Sequence, residues 1–187
     1  GRHPAFQIPR TGVGVYAFDE LCWYIRENIA ALDRDFFEER LFQWLEDLTG
    51  SSQFSDSLRK MQTDGRPLQD MVRYLLGAGE YLTAEEIRAA GVELARAARQ
   101  DPAMRAAQVG AYYYRYGKYM SAVRQYYHAL HLAGQDPEKR TTRAEIADMW
   151  HDLGLSLLRL RDIEGAAQCL QRAFQEHEDP ALISACV

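Results

Sequence analysis

Two glycines, Gly110 and Gly154, stand 44 residues apart in the 187-residue sequence, and the residues around each follow the same order. Small residues recur at matched places: Ala103 with Ala147, Ala122 with Ala166, Ala129 with Ala173. Large residues recur between them: Tyr113 with Leu157, Tyr119 with Ile163, Tyr126 with Leu170. Their spacing is helical, with members of one face three or four positions apart. A glycine opposite an alanine lets two helix backbones approach closely, while the large groups fill the seam. A small residue at Ala129 and Ala173 leaves room for a neighbouring hairpin to stack. A chain patterned in this way is expected to fold as helix hairpins laid side by side.

The first unit opens at Ala103 and closes at Asp136-Pro137; the second opens at Ala147 and closes at Asp179-Pro180. This pattern resembles the tetratricopeptide repeat family, whose units are 34 residues long. The second unit carries Trp150, Leu153, Gly154, Ala166 and Ala173 where the family has them, and departs at Arg161, where glycine is usual. The first keeps Gly117 at that place but has Ala106 where tryptophan is usual. The ten surplus residues fall around Asp136 to Ile146, so a longer helix or a longer loop is expected there. The resemblance covers residues 103–187. It implies an all-α fold, a right-handed helical-repeat array of antiparallel hairpins, with about ten helices in the chain.

The first hundred residues do not match the repeat in register. Residues 1–17 hold Pro4 and Pro9, and Val13, Val15 and Ala17 alternate with Gly14 and Tyr16. They read as an extended N-terminal arm with one short strand. Residues 18–100 read as a helical region, either degenerate repeats or a capping bundle, before the two units of residues 101–187. From Phe18 a helical stripe runs through Leu21, Ile25, Ile29 and Leu32. Asp35 is expected to cap a second helix carrying Phe37, Leu41, Trp44, Leu45 and Leu48, ended by Gly50. A weaker helix follows to Thr63, and Pro67 is expected at the first position of the next. Thr83 with Glu86 spells a capping box, and Asp101-Pro102 a cap followed by a first-turn proline. The segment from Tyr16 to Ile25 also resembles bacterial helical-repeat proteins, a likeness that carries no function.

Several function classes are disfavoured. The chain has 27 acids against 22 bases, a net charge of -5, and no basic segment of the kind that phosphate backbones attract. Nucleic acid is therefore not an expected partner. No run of 18 apolar residues occurs, so no membrane span is expected. The sequence opens on Gly1 without a basic-then-apolar leader, which leads to a cytoplasmic expectation. Cys22, Cys169 and Cys186 lack paired spacing, which suits thiols in a reducing compartment better than a disulfide frame or a zinc site. His128 and His131 lie three apart on one helix but have no third ligand at a supporting spacing. Asp148, His151 and Asp152 read as a polar helix face, since nothing places them in a pocket. Common catalytic signatures are missing. The chain is expected to work without metal or cofactor and not as an enzyme.

What remains points to a binding surface. Seven tyrosines lie between Tyr112 and Tyr127; packing accounts for Tyr113, Tyr119 and Tyr126, and leaves the others available to a partner. The family resemblance implies a concave groove lined by one face of each unit's first helix. Here that face is Met104, Ala107, Ala111, Tyr114 and Arg115, then Asp148, His151, Leu155, Leu158 and Arg159. The family's carboxylate clamp would need Lys and Asn where Ala107 and Ala111, or His151 and Leu155, stand. The implied ligand is instead an apolar or mildly acidic peptide or helix. Candidate contacts are Met104, Tyr114, Arg115, His151, Leu155, Leu158 and Arg159. The leading expectation is a protein- or peptide-binding scaffold. The alternatives are a peptide-sensing regulatory domain, or an enzyme with its site in the groove. The segment Ala181–Val187 is a further candidate to fill the groove itself.

Overall fold

The structure, a computed structural model, describes residues 4–177; the expected role of Ala181–Val187 lies outside them. The fold is all-α. The described residues form nine α-helices, with two short 3-10 turns and two two-residue strands. They divide into two compact units, Gly1–Arg99 and Gln100–Val187.

In the first unit, the expected arm is a small hairpin of its own. Strands β1 (Phe6–Gln7) and β2 (Gly14–Val15) pair antiparallel, with Phe6 opposite Val15. Gly12, at φ +68°, closes the turn by donating its N–H to the Ile8 carbonyl at 2.8 Å. Phe6, Ile8 and Val15 are buried, and Phe6 packs 5.8 Å from the Trp44 ring.

The helices are α1 (Phe18–Glu27), α2 (Glu39–Thr49), α3 (Gln53–Thr63), α4 (Leu68–Gly77) and α5 (Ala84–Ala98). The expected long first helix stops at Glu27. Asn28 turns its side chain back to donate to the Tyr24 carbonyl at 2.8 Å, and Ile29–Ala31 continue as a 3-10 turn that still buries Ile29. The cap expected at Asp35 is at Asp33, which accepts from the Asp35 N–H, and it opens a 3-10 turn rather than α2. Phe37 precedes α2 but is buried all the same. Pro67 sits one residue before α4. Gly50 closes α2 at φ +69°, and Thr83 with Glu86 forms the expected capping box. Leu21, Ile25, Leu41, Leu45, Leu58, Met71 and Leu75 make the fully buried centre of this unit.

One charged cluster ties α2 to α3. Arg59 bonds Glu39, Glu46 and Asp56, and its guanidinium lies 5.3 Å from the Phe42 ring centroid. The Ser55 hydroxyl also donates to Glu46, at 2.6 Å. The Ser55 hydrogen bond first, and Arg59 second, hold the Glu46 carboxyl below the ordinary glutamate range. Unfolded, this carboxyl titrates near about 4.3. Its contribution to stability is therefore complete above that pH, and is lost as pH falls through the lower folded value. Urea midpoints between about pH 6 and 3 should fall less steeply for Glu46→Gln than for wild type; parallel curves would remove the cluster from the acid response.

The second unit holds α6 (Pro102–Arg115), α7 (Tyr119–Gln135), α8 (Arg143–Arg159) and α9 (Ile163–His177). Contacts show each consecutive pair running antiparallel. Ala103 and Ala106 share a cluster with Ala129 and Ala133, while Gly110 faces the Tyr126 ring. Arg143 reaches Glu176 at 3.3 Å, and Gly154 faces Leu170. Between the hairpins, Val123 and Tyr126 of α7 pack with Leu153 and Leu157 of α8.

The ten surplus residues are shared. Residues 136–142 make a loop, and α8 begins four residues before Ala147. Asp136 holds the loop by accepting the Glu138 and Arg140 N–H groups at 3.1 and 2.9 Å. Thr142 and Glu145 then form a second capping box.

Both hairpin turns use one backbone device. Gly117 at φ +71° and Arg161 at φ +63° occupy the left-handed region just past α6 and α8. The next residue donates back to the helix in each case: Lys118 to the Tyr113 carbonyl at 2.9 Å, and Asp162 to that of Leu157 at 3.0 Å. Arginine at this conformation crowds its Cβ against the backbone, whereas glycine does not. Arg161→Gly should therefore stabilise the protein by about 0.5–1 kcal/mol, read from the urea midpoint. A destabilised variant would show that the exposed Arg161 side chain contributes more than its backbone costs.

Candidate functional site

The hairpin turn at 116–118 brings Tyr114, near the end of α6, against Tyr119, at the start of α7; their rings meet edge-on at 5.4 Å. The last residue of α8 completes the group. Arg159 donates from Nε to the Tyr114 hydroxyl at 3.2 Å. Its guanidinium carbon lies 5.9 Å from the Tyr114 ring centroid and 5.8 Å from that of Tyr119. The Tyr114 hydrogen bond, followed by both phenols, raises the affinity of this guanidinium for its proton. Among the described residues no carboxylate contributes to that environment. An exposed cation is thus fixed by two aromatic groups, with no acid paired to it among the described residues.

The other expected contacts distribute along this face. Helices α6 and α8 both run antiparallel to α7 and so run parallel to each other. Leu155, half-buried one turn before Arg159, and Leu158, 39% exposed, supply apolar surface near the cation. Met104 stands about 15 Å up α6 from Tyr114 and joins Ile146 and Met149 of α8 in the other cluster. His151, about 12 Å from Arg159 along α8, is exposed, with Nδ1 3.0 Å from Asp152 Oδ1. Arg115 is exposed at the last residue of α6. Tyr114, Leu155, Leu158 and Arg159 therefore gather at one end, while Met104 and His151 mark the other.

Sequence reasoning missed Tyr119 as a member of the site and assigned it to packing. The signal was present: a turn of three residues must place residues five apart on opposite sides of it. Tyr112, counted among the surplus tyrosines, is 6% exposed and belongs to the interior, whereas Tyr127 is 50% exposed. Tyr126 is buried and its hydroxyl lies 3.5 Å from Asp152; burial, and secondarily that carboxylate, push the phenol above its ordinary value. Asp152 thereby links Tyr126 to His151.

Other chemistry finds little purchase. Cys22 and Cys169 are buried free thiols, and burial first, with Asp19 second, pushes Cys22 up to about 12. Among the described residues no group of three or more His, Cys, Asp or Glu is arranged to hold a metal, and no helix is long and apolar enough to cross a membrane. The first unit has an open recess of about 300 Å³ between β1 and α2, lined by residues that include Pro4, Phe6, Arg40, Trp44 and Asp47. The Trp44 N–H there is used by the Pro4 carbonyl at 3.1 Å, Arg40 pairs with Glu38, and Asp47 accepts from Gln43. The recess therefore offers a ligand few uncommitted groups. Comparison of the chain with family models, curated proteins and solved structures gives no match.

Proposed function

We propose that the second unit is a tetratricopeptide-like pair of hairpins, and that the chain is a non-catalytic scaffold which binds a protein or peptide along its α6–α8 face. The observation that carries this reading is Arg159, held between Tyr114 and Tyr119 with no acid paired to it among the described residues. A fixed guanidinium loses little side-chain freedom when a carboxylate arrives, and it can bond that carboxylate through two N–H groups. Leu155 and Leu158 beside it favour an apolar side chain next to the acid, and Met104 extends the apolar track. The same preference disfavours nucleic acid, because the face carries few cations and the chain is net acidic. Two buried free thiols are in keeping with a reducing, cytoplasmic setting.

The test is a selection from a random displayed 12-mer peptide library against the whole chain. Recovered sequences should pair Asp or Glu with large apolar residues, and their binding should weaken in the Arg115→Ala/Arg159→Ala double variant. Recovery of basic sequences, or of binders indifferent to the double variant, would place the binding surface elsewhere.

A further inference from the structure

One stripe of α8 carries charges of both signs. Asp148, Asp152, Leu155 and Arg159 follow at steps of four, three and four residues. Such steps keep all four within about 60° of one another around a helix. Along the axis, Asp152 lies about 11 Å and Asp148 about 17 Å from Arg159. The Asp148 side chain is 74% exposed and that of Asp152 44% exposed. Each meets only an imidazole in an ion pair: His177 Nε2 at 3.8 Å from Asp148, and His151 Nδ1 at 3.0 Å from Asp152. Among the described residues neither acid is paired with a lysine or an arginine.

Two carboxylates one helical turn apart repel each other. The helix dipole does not offset this, because Asp148 is the sixth residue of α8 and Asp152 the tenth, beyond the first turn where acids are favoured. The pair therefore weakens α8 by itself, and a cation brought by a partner would relieve it. We propose that the stripe selects the order of charges in the bound peptide: an acid at the Arg159 end, and a lysine or arginine about 11–17 Å away at the Asp148 and Asp152 end. This rests on the binding role proposed above for the α6–α8 face, and adds to it a second contact of opposite sign. Leu155, half-buried between the two ends, takes an apolar side chain, so the preferred ligand reads acid, apolar, base along the stripe. A ligand lying the other way would set its acid against two aspartates and its base against Arg159, which like-charge repulsion disfavours. In sequence the separation corresponds to about three to five residues of an extended peptide, or about seven to eleven of a helical one.

The test runs the displayed 12-mer selection in parallel on the whole chain and on its Asp148→Asn/Asp152→Asn variant, whose amides keep the size of the carboxylates they replace. Circular dichroism melting checks that the variant is folded. Peptides recovered on wild type should carry Lys or Arg at those separations from the acid about threefold above library frequency, and this enrichment should vanish on the variant while the acid is retained. In one recovered peptide, replacing that base by Gln should weaken binding to wild type about fivefold and to the variant less than about twofold, by isothermal titration. Acids recovered without a base at those separations, or with the base equally enriched on the variant, would overturn this proposal and leave the Arg159 contact standing. Recovered peptides without an acid would overturn the Arg159 reading, and the charge order with it.

Discussion

Gly154→Leu is expected to lower stability by about 3 kcal/mol, as overpacking of a close helix contact does. A Cβ at Gly154 would lie 3.0 Å from Leu170 Cγ and 3.3 Å from the Ala166 carbonyl oxygen. The side chain Leu170 could yield, but the α9 backbone at Ala166 can yield only by moving the helix away from α8. That movement would also strain the fully buried Ala166 contact. The comparison variant is Gly134→Ala, where an added Cβ meets nothing within 4 Å and helix propensity favours alanine by about 1 kcal/mol. Thermal melting by circular dichroism should separate the two, with Gly154→Leu melting well below wild type and Gly134→Ala at or above it. An unchanged melting temperature for Gly154→Leu would show that α8 and α9 do not cross closely at this point.

Tyr126→Ala should cost about 3–4 kcal/mol, in the range of large aromatic truncations. The ring is 2% exposed and joins both hairpins, facing Gly110 on one side and packing with Leu153 and Leu157 on the other. Its loss leaves a cavity that the alanine-rich surroundings cannot fill. Tyr126→Phe isolates the hydroxyl, whose 3.5 Å contact with Asp152 is long for a hydrogen bond, so a loss below about 1 kcal/mol is expected. Urea denaturation of the two variants checks this partition. A Tyr126→Phe loss as large as that of Tyr126→Ala would transfer the energy from packing to the polar contact.

The features most legible in the sequence were those in which one residue type has one physical use. Gly110 and Gly154 stand where a Cβ meets a facing side chain, Ala122 and Ala166 are fully buried, and Thr83 with Glu86 caps α5 as its spacing requires. Thr142 with Glu145 carries the same capping signal and opens α8 within the stretch where the ten surplus residues left a longer helix or a longer loop open. The break after Glu27 was harder to see. Ile29 and Leu32 keep helical spacing and stay buried, but the local bond from Asn28 to the Tyr24 carbonyl ends the helix before them. The N-terminal hairpin was half visible: alternation from Val13 to Ala17 marked one strand, while its partner Phe6–Gln7 is too short to alternate. At the site, the family resemblance implied that Tyr114 and Arg159 lie on corresponding faces of their units. Only the three-residue turn and the antiparallel crossing put Tyr119 on the other side of the same guanidinium.

The binding role of that guanidinium is most directly measured by isothermal titration of an acidic-apolar peptide from the displayed library against wild type, Arg159→Ala and Arg105→Ala. Arg105 is an exposed cation on α6, about half a helical revolution from Tyr114, so its removal changes net charge equally without touching the face. The account predicts that Arg159→Ala weakens binding about tenfold, equivalent to about 1.4 kcal/mol, while Arg105→Ala leaves it within twofold or so of wild type. Equal losses in the two variants, or none in Arg159→Ala with its melting temperature unchanged, would contradict it.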